Sequence, residues 1–173
     1  MIPGVVVREL QTLPDERGSF AETFRQAWLP EGSPPMIQSN LSRSRAGVLR
    51  GMHFHLGQSD WWIVLEGSAF VALHDLRDDP RAGQGTTMTV DASEGLVGIY
   101  IPPRVAHGFL ALTEVALQYL VDAGFDGSDE FGFAWDDPQA GIGWPAADPP
   151  LLSARDLANP PLAEALALAR RMG

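Results

Sequence analysis

Residues 47–67 read GVLRGMHFHLGQSDWWIVLEG, and this stretch decides the fold. It sets two histidines, an arginine and an aspartate into a run that otherwise reads as β-strand. Histidine is scarce: the chain has four, and two of them are His53 and His55. Side chains two apart in a strand share a face, so both imidazoles are expected to look into one space. A polar pair on the inner face of a barrel strand is costly unless a ligand, a metal or a partner group uses it. The stretch therefore predicts a barrel strand and a site together.

Working outward, residues 61–65 and 69–76 are strand runs joined by Glu66-Gly67-Ser68, a hairpin signal. A polar loop is expected at 78–85, then strands at 86–90 and 97–101 separated by a turn at 91–95, with Pro102-Pro103 ending the second. Residues 106–112 and 116–121 form a further hairpin about Thr113-Glu114. Upstream, 37–42 alternates like a strand and puts Gln38 and Asn40 on one face. Before it come an apolar run at 1–7, a turn at 14–20, an apolar segment at 20–24 and a Pro- and Gly-rich loop at 28–35. Turn residues dominate from Gly124 onward, including Asp126-Gly127. Only the tail reads as helix, at 162–172, with Asn159 as its N-cap. About ten short strands between turn signals predict an all-β barrel or jelly roll, in one domain spanning 1–173.

Composition narrows the chemistry. The net charge of −10 argues against nucleic acid or an anionic membrane as partner. No apolar run approaches the length of a membrane span and no signal peptide is evident at MIPGVVVREL, so a cytoplasmic location is expected. With no cysteine, thiolate metal sites and disulfides are excluded. All 12 basic residues are arginine, so Schiff-base and P-loop chemistry lack their lysine. An anionic substrate would be held by arginine, whose planar fork suits phosphate.

His53, His55, Asp60 and, later, His107 after Pro102 look like the two metal motifs of the cupin superfamily, with Asp in place of the usual Glu. Such a set suits Zn, Fe, Mn or Ni. A metal-dependent cupin, a sugar isomerase or a dioxygenase, is one reading of these four residues.

A second resemblance covers residues 3–165. Asp15-Glu16-Arg17-Gly18-Ser19-Phe20, Gln38-Ser39-Asn40-Leu41-Ser42, Leu49-Arg50-Gly51-Met52-His53, Asp75-Leu76-Arg77, Ala106-His107-Gly108-Phe109, Trp135-Asp136-Asp137-Pro138 and Ser153-Ala154-Arg155-Asp156 follow in order. The succession resembles the dTDP-4-dehydrorhamnose 3,5-epimerase family of cupin-fold isomerases. The resemblance implies a double-stranded β-helix, with a short C-terminal helix, that inverts C3, C5 or both of a nucleotide-diphosphate 4-keto-6-deoxyhexose without a cofactor. It implies that His53 is the general base, Asp156 the carboxylate that orients it and Tyr119 the acid on the opposite face. Arg17, Phe20, Gln38, Asn40, Arg50, His55, Asp60 and His107 are the implied substrate contacts. A homodimer exchanging N-terminal strands is implied too, and an unpaired run at 5–7 would suit that pairing.

One departure stands out. The family places an enolate-steadying lysine a few residues into the strand after the base, and this chain has Asp60 near that place. Asp60 is expected to hold His55 as an imidazolium, restoring a positive donor. A non-catalytic sugar-nucleotide binder is the third reading. The remaining polar groups have plainer roles. Asp156 could cap the tail helix, His74 is structural or exposed, and Asp75 and Arg77 form a buried pair. Trp61 and Trp62 belong to core and rim, and Arg43 and Arg45 to a solvated turn.

Overall fold

The computed structural model describes residues 1–77, 85–124, 127–146 and 148–171. Its first sheet holds β1 (Val6–Leu10), β4 (Gln38–Ser44), β6 (Asp60–Glu66), β9 (Leu96–Ile101) and β11 (Val115–Val121), in the spatial order β1-β9-β6-β11-β4. Its second holds β5 (Leu49–Phe54), β7 (Ser68–Asp75), β8 (Gly85–Asp91), β10 (Val105–Ala111) and β12 (Phe131–Gly132), in the order β12-β5-β10-β7-β8. The chain crosses repeatedly from one sheet to the other, and every neighbouring pair is antiparallel. This is the expected jelly roll.

Between the sheets, Val64, Ile99 and Leu117 of the first meet Val71, Leu73 and Phe109 of the second. Both sheets are covered outside as well. The segment ahead of β4 lays Phe24, Trp28 and Leu29 over Trp61, Ile63 and Tyr100. Behind the second sheet, helix α2 (Leu162–Arg171) packs Leu162, Ala165 and Ala169 against the cluster of Met52, Phe54, Ala72 and Phe133. Strands buried on both faces lose the apolar–polar alternation, which is why β10 is buried at all seven positions. Trp61 crosses β9 so closely that a Cβ on Gly98 would stand 2.0 Å from its ring. Only glycine fits there.

Several local expectations are corrected. Twelve strands are present among the described residues, because residues 12–15 form β2 (Thr12–Asp15), paired with β3 (Gly18–Ala21) in a separate hairpin, and β12 forms where only turns were expected. The β-branched run near the N-terminus is paired within the chain on one side, Val6 with Tyr100 and Val7 with Ile99, and stands at the edge of its sheet. Asn159 does not cap the tail helix: two prolines intervene, and Leu162 N–H donates instead to Asp137 Oδ2 at 2.8 Å. β4 runs through Arg43, which pairs with Glu66 rather than sitting in a turn. Most of the 78–85 loop, part of the Asp126-Gly127 turn and Met172 lie outside the described residues. No helix among the described residues is long and apolar enough to cross a membrane.

Candidate active site

The inner faces of the two sheets part at one end to leave a cavity of about 510 Å³. Three strands of the first sheet furnish one wall. Asn40 on β4 is opposite Tyr119 on β11, which in turn is opposite Trp62 on β6. Gln38 and Asn40 share this face, as their spacing predicts, and Gln38 Nε2 donates to Asn40 Oδ1 at 2.9 Å. The other wall comes from β5 and β10, where His53 is opposite His107.

Arg50 and His53 both line the cavity, although residues three apart in a regular strand face opposite ways. A bulge resolves this. The β5–β10 register shifts between His107 and Phe109, with Gly51 on the other strand at φ +135°. A Cβ on Gly51 would come within 2.6 Å of Gly108 Cα. The glycine of the Leu49-Arg50-Gly51-Met52-His53 motif thus lets the strands close up while the chain turns Arg50 inward. Arg50 is steadied by Ser44 Oγ at 3.0 Å and the Arg43 carbonyl oxygen at 3.3 Å.

His53 Nε2 stands 2.5 Å from Asp156 Oδ1. Asp156 sits within a short helix α1 (Ala154–Leu157), where Ser153 is the N-cap and its Oγ accepts the Asp156 N–H at 3.1 Å. It therefore caps nothing in the tail helix. Burial pushes the Asp156 carboxyl up, but the hydrogen bond and charge of His53, helped by Ser153 and Arg155, outweigh it and hold the group below its usual range. Across the cavity, burial and then the charges of Asp60 and Glu130 push the Tyr119 phenol up, against a weaker pull from Arg50. A carboxylate-backed imidazole and a protonated phenol, carried by opposite sheets, open on one space.

The four residues of the metal reading divide into two groups. His55, Asp60 and His107 each offer a ligand atom within 4.8 Å of the others, while His53 is engaged by Asp156. The expected Asp60–His55 ion pair is replaced by other contacts. Asp60 accepts from Gln58 Nε2 at 2.9 Å and Trp62 Nε1 at 3.0 Å, with His107 Nε2 at 3.7 Å. His55 turns Nδ1 to the Asp129 carbonyl oxygen. Burial above all, with His55 and His53 adding to it and Asp60 opposing, pushes the His107 imidazole down to about 4.

Arg17 and Phe20 do not line this cavity. Both belong to the β2–β3 hairpin, where Arg17 is paired with Asp15 at 2.5 Å and Phe20 is 64% exposed. Phe20 and Leu13 line a second cavity instead, with Arg8, Leu10 and Trp28. Trp62 is both core and cavity wall, whereas Trp61 is wholly outside the cavity. His74 is buried against Phe133, and Asp75 holds Arg77 at 2.6 Å.

Sequence reasoning missed Gln58, Glu130, Ser153 and Arg155 in the cavity lining. It missed Asp129 too, whose carboxylate accepts the backbone N–H groups of Leu56, Gly57 and Gln58 at 2.6, 2.9 and 3.2 Å. The available signal was the acidic run Asp129-Glu130 among turn residues, opposite no obvious partner in sequence.

Comparison with known proteins identifies the family. The profile of the dTDP-4-dehydrorhamnose 3,5-epimerase family matches residues 1–164. A dTDP-4-dehydrorhamnose 3,5-epimerase of Salmonella typhimurium is 35% identical over 95% of this chain and 94% of its own. Another from Neisseria gonorrhoeae is also 35% identical over 95% of this chain, which spans 52% of that longer relative. A crystal structure of a 3'-monoepimerase from Streptomyces bikiniensis, in complex with dTDP-quinovose, superposes with a TM-score of 0.87 at 31% identity, covering 96% of this chain and 88% of that one. The metal-dependent isomerase or dioxygenase and the non-catalytic binder are not favoured beside these relatives. The chain belongs to the dTDP-4-dehydrorhamnose 3,5-epimerase family, whose members are isomerases.

Proposed function

We propose that this protein inverts C3, C5 or both of a dTDP-linked 4-keto-6-deoxyhexose by proton transfer through an enolate. The observation that carries the reading is the placing of the Asp156-backed His53 and of Tyr119 on opposite walls of one cavity. A hydrogen beside the C4 ketone is acidic enough for an imidazole to remove, provided the developing enolate is stabilised. Asp156 takes Nε2 of His53, leaving Nδ1 as the nitrogen that accepts the carbon's proton. Asp156 also favours the imidazolium that forms. Tyr119, kept protonated by burial and neighbouring anions, delivers a proton to the other face. Removal on one face and return on the other inverts the centre; the imidazole alone would restore the starting isomer.

Arg50 would engage the diphosphate or sugar, with Gln38 and Asn40 alongside. The proton transfers themselves call for no redox cofactor. A homodimer suits the hairpin, whose Leu13 and Phe20 are paired in register and 50% and 64% exposed. In such a dimer each hairpin would bring Arg17 and Phe20 to the partner's cavity. A cytoplasmic site fits a nucleotide-sugar substrate. The relatives divide between 3,5-epimerases and a 3'-monoepimerase, so the test is product analysis. Incubation with dTDP-4-keto-6-deoxyglucose, followed by borohydride reduction and sugar analysis, should give epimerised sugars. Recovery of the glucose and galactose configurations only would refute the proposal.

A further inference from the structure

Asp156 owes its place beside His53 to a segment with little hold of its own. Helix α1 is a single turn, too short to be stable alone in water. Backbone bonds fix the chain on either side of it. Leu151 N–H donates to the Gly47 carbonyl oxygen at 2.8 Å, and the Pro160 carbonyl oxygen accepts the Ala134 N–H at 2.8 Å. Between those points, two side-chain bonds tie α1 across to the barrel. One is the His53–Asp156 bond itself. In the other, Arg155 Nη1 donates to Glu130 Oε1, and both of these residues line the cavity.

Glu130 stands on a rigid mount. The residue before it, Asp129, accepts the backbone N–H groups of Leu56, Gly57 and Gln58. The residue after it, Phe131, pairs with Phe54, and Gly132 pairs with His53 itself. Arg155, in turn, is the chain neighbour of Asp156. The base and its carboxylate are thus linked twice: directly, and by a second path from β5 through β12, Glu130 and Arg155 to α1. We propose that Glu130 is a positioning residue, holding Arg155 and so keeping the Asp156 carboxylate registered on His53. Resting on the epimerase reading, this role lets Glu130 serve the reaction without touching the reacting carbon. A drift of α1 by about 1 Å would be enough to matter, since misplacement on that scale costs about 10²-fold in rate.

The test compares E130A, R155Q and R155K in the full-length chain, each checked for folding by circular dichroism. Amide hydrogen exchange of residues 151–160, followed by mass spectrometry without substrate, reads α1 directly. E130A and R155Q should exchange there about tenfold faster than wild type, with β5 unchanged. Their kcat on dTDP-4-keto-6-deoxyglucose should fall about 10–10²-fold, while KM stays near the wild-type value. R155K keeps a cation for Glu130 and should retain most of the protection and of kcat. Glu130 also pushes the Tyr119 phenol up. R155Q leaves that charge in place, so matching losses in E130A and R155Q assign the effect to the pair. Unchanged exchange and kcat in both variants would overturn the proposal. Faster exchange at wild-type kcat would overturn it too, leaving the pair a structural tie. So would a rise in KM at wild-type kcat, which would mark Arg155 as a grip on the diphosphate. If wild type inverts no sugar, the epimerase reading fails, while the exchange experiment still decides whether Glu130 holds α1.

Discussion

His53 and Asp156, 103 residues apart in the chain, meet with Nε2 and Oδ1 2.5 Å from each other. One comes from the bulged strand β5 and the other from a single-turn helix that the sequence hides. Replacing Asp156 by Asn keeps the shape but removes the charge that favours the imidazolium. The turnover number of D156N should fall about 10²-fold or more, with KM changed far less. Steady-state kinetics check this, and a loss confined to KM would contradict it.

Tyr119 shares a cavity with His53 but lies on the opposite sheet. Y119F should still exchange the sugar's C–H with solvent, because His53 can remove and return a proton on one face. Inversion should drop by about 10² or more. NMR in D2O separates the two events. Equal loss of exchange and inversion would show that the phenol does not act as the second-face acid.

The lowered pKa of Asp156 makes stability depend on pH with a definite sign. Its folded pKa lies below its unfolded one, so between the two values the unfolded chain binds more protons and stability rises with pH. The contribution is complete above the ordinary carboxylate pKa and vanishes as pH falls through the folded value. Melting temperatures of wild type should therefore converge on those of D156N as acid is added. A constant gap between the two curves would contradict the ion pair.

If Arg17 serves a partner's cavity, inactive chains should complement. A dimer of R17A with H53A holds one chain with an intact His53, faced by an intact Arg17 from its partner. Mixed and co-refolded R17A and H53A should be more active than either alone. If Arg17 worked within its own chain, no such site would form and mixing would gain nothing.

How far the sequence could be read follows from the range of each signal. The strand runs at 61–65 and 69–76 and the shared face of Gln38 and Asn40 are local patterns, and all appear as expected. His53 and Asp156 were legible through ordered motifs, because a motif preserves its place across a long separation that periodicity cannot bridge. Asp129 escaped because its work is three bonds to backbone N–H groups, which leave no trace in the residues they hold. The bulge at Gly51 escaped for a related reason: it depends on the close approach of Gly108 from another strand. Arg17 and Phe20 belong to a motif, yet their hairpin forms a sheet of its own, and a single chain does not show them at the cavity.

The central claim is that His53 takes a proton from carbon beside the ketone. The direct measurement is an NMR time course in D2O with dTDP-4-keto-6-deoxyglucose, comparing wild type with H53A. Wild type should wash deuterium into C3, C5 or both as epimer forms, and H53A should slow that uptake by about 10²–10⁴-fold. Deuterium uptake by H53A at the wild-type rate would contradict the account.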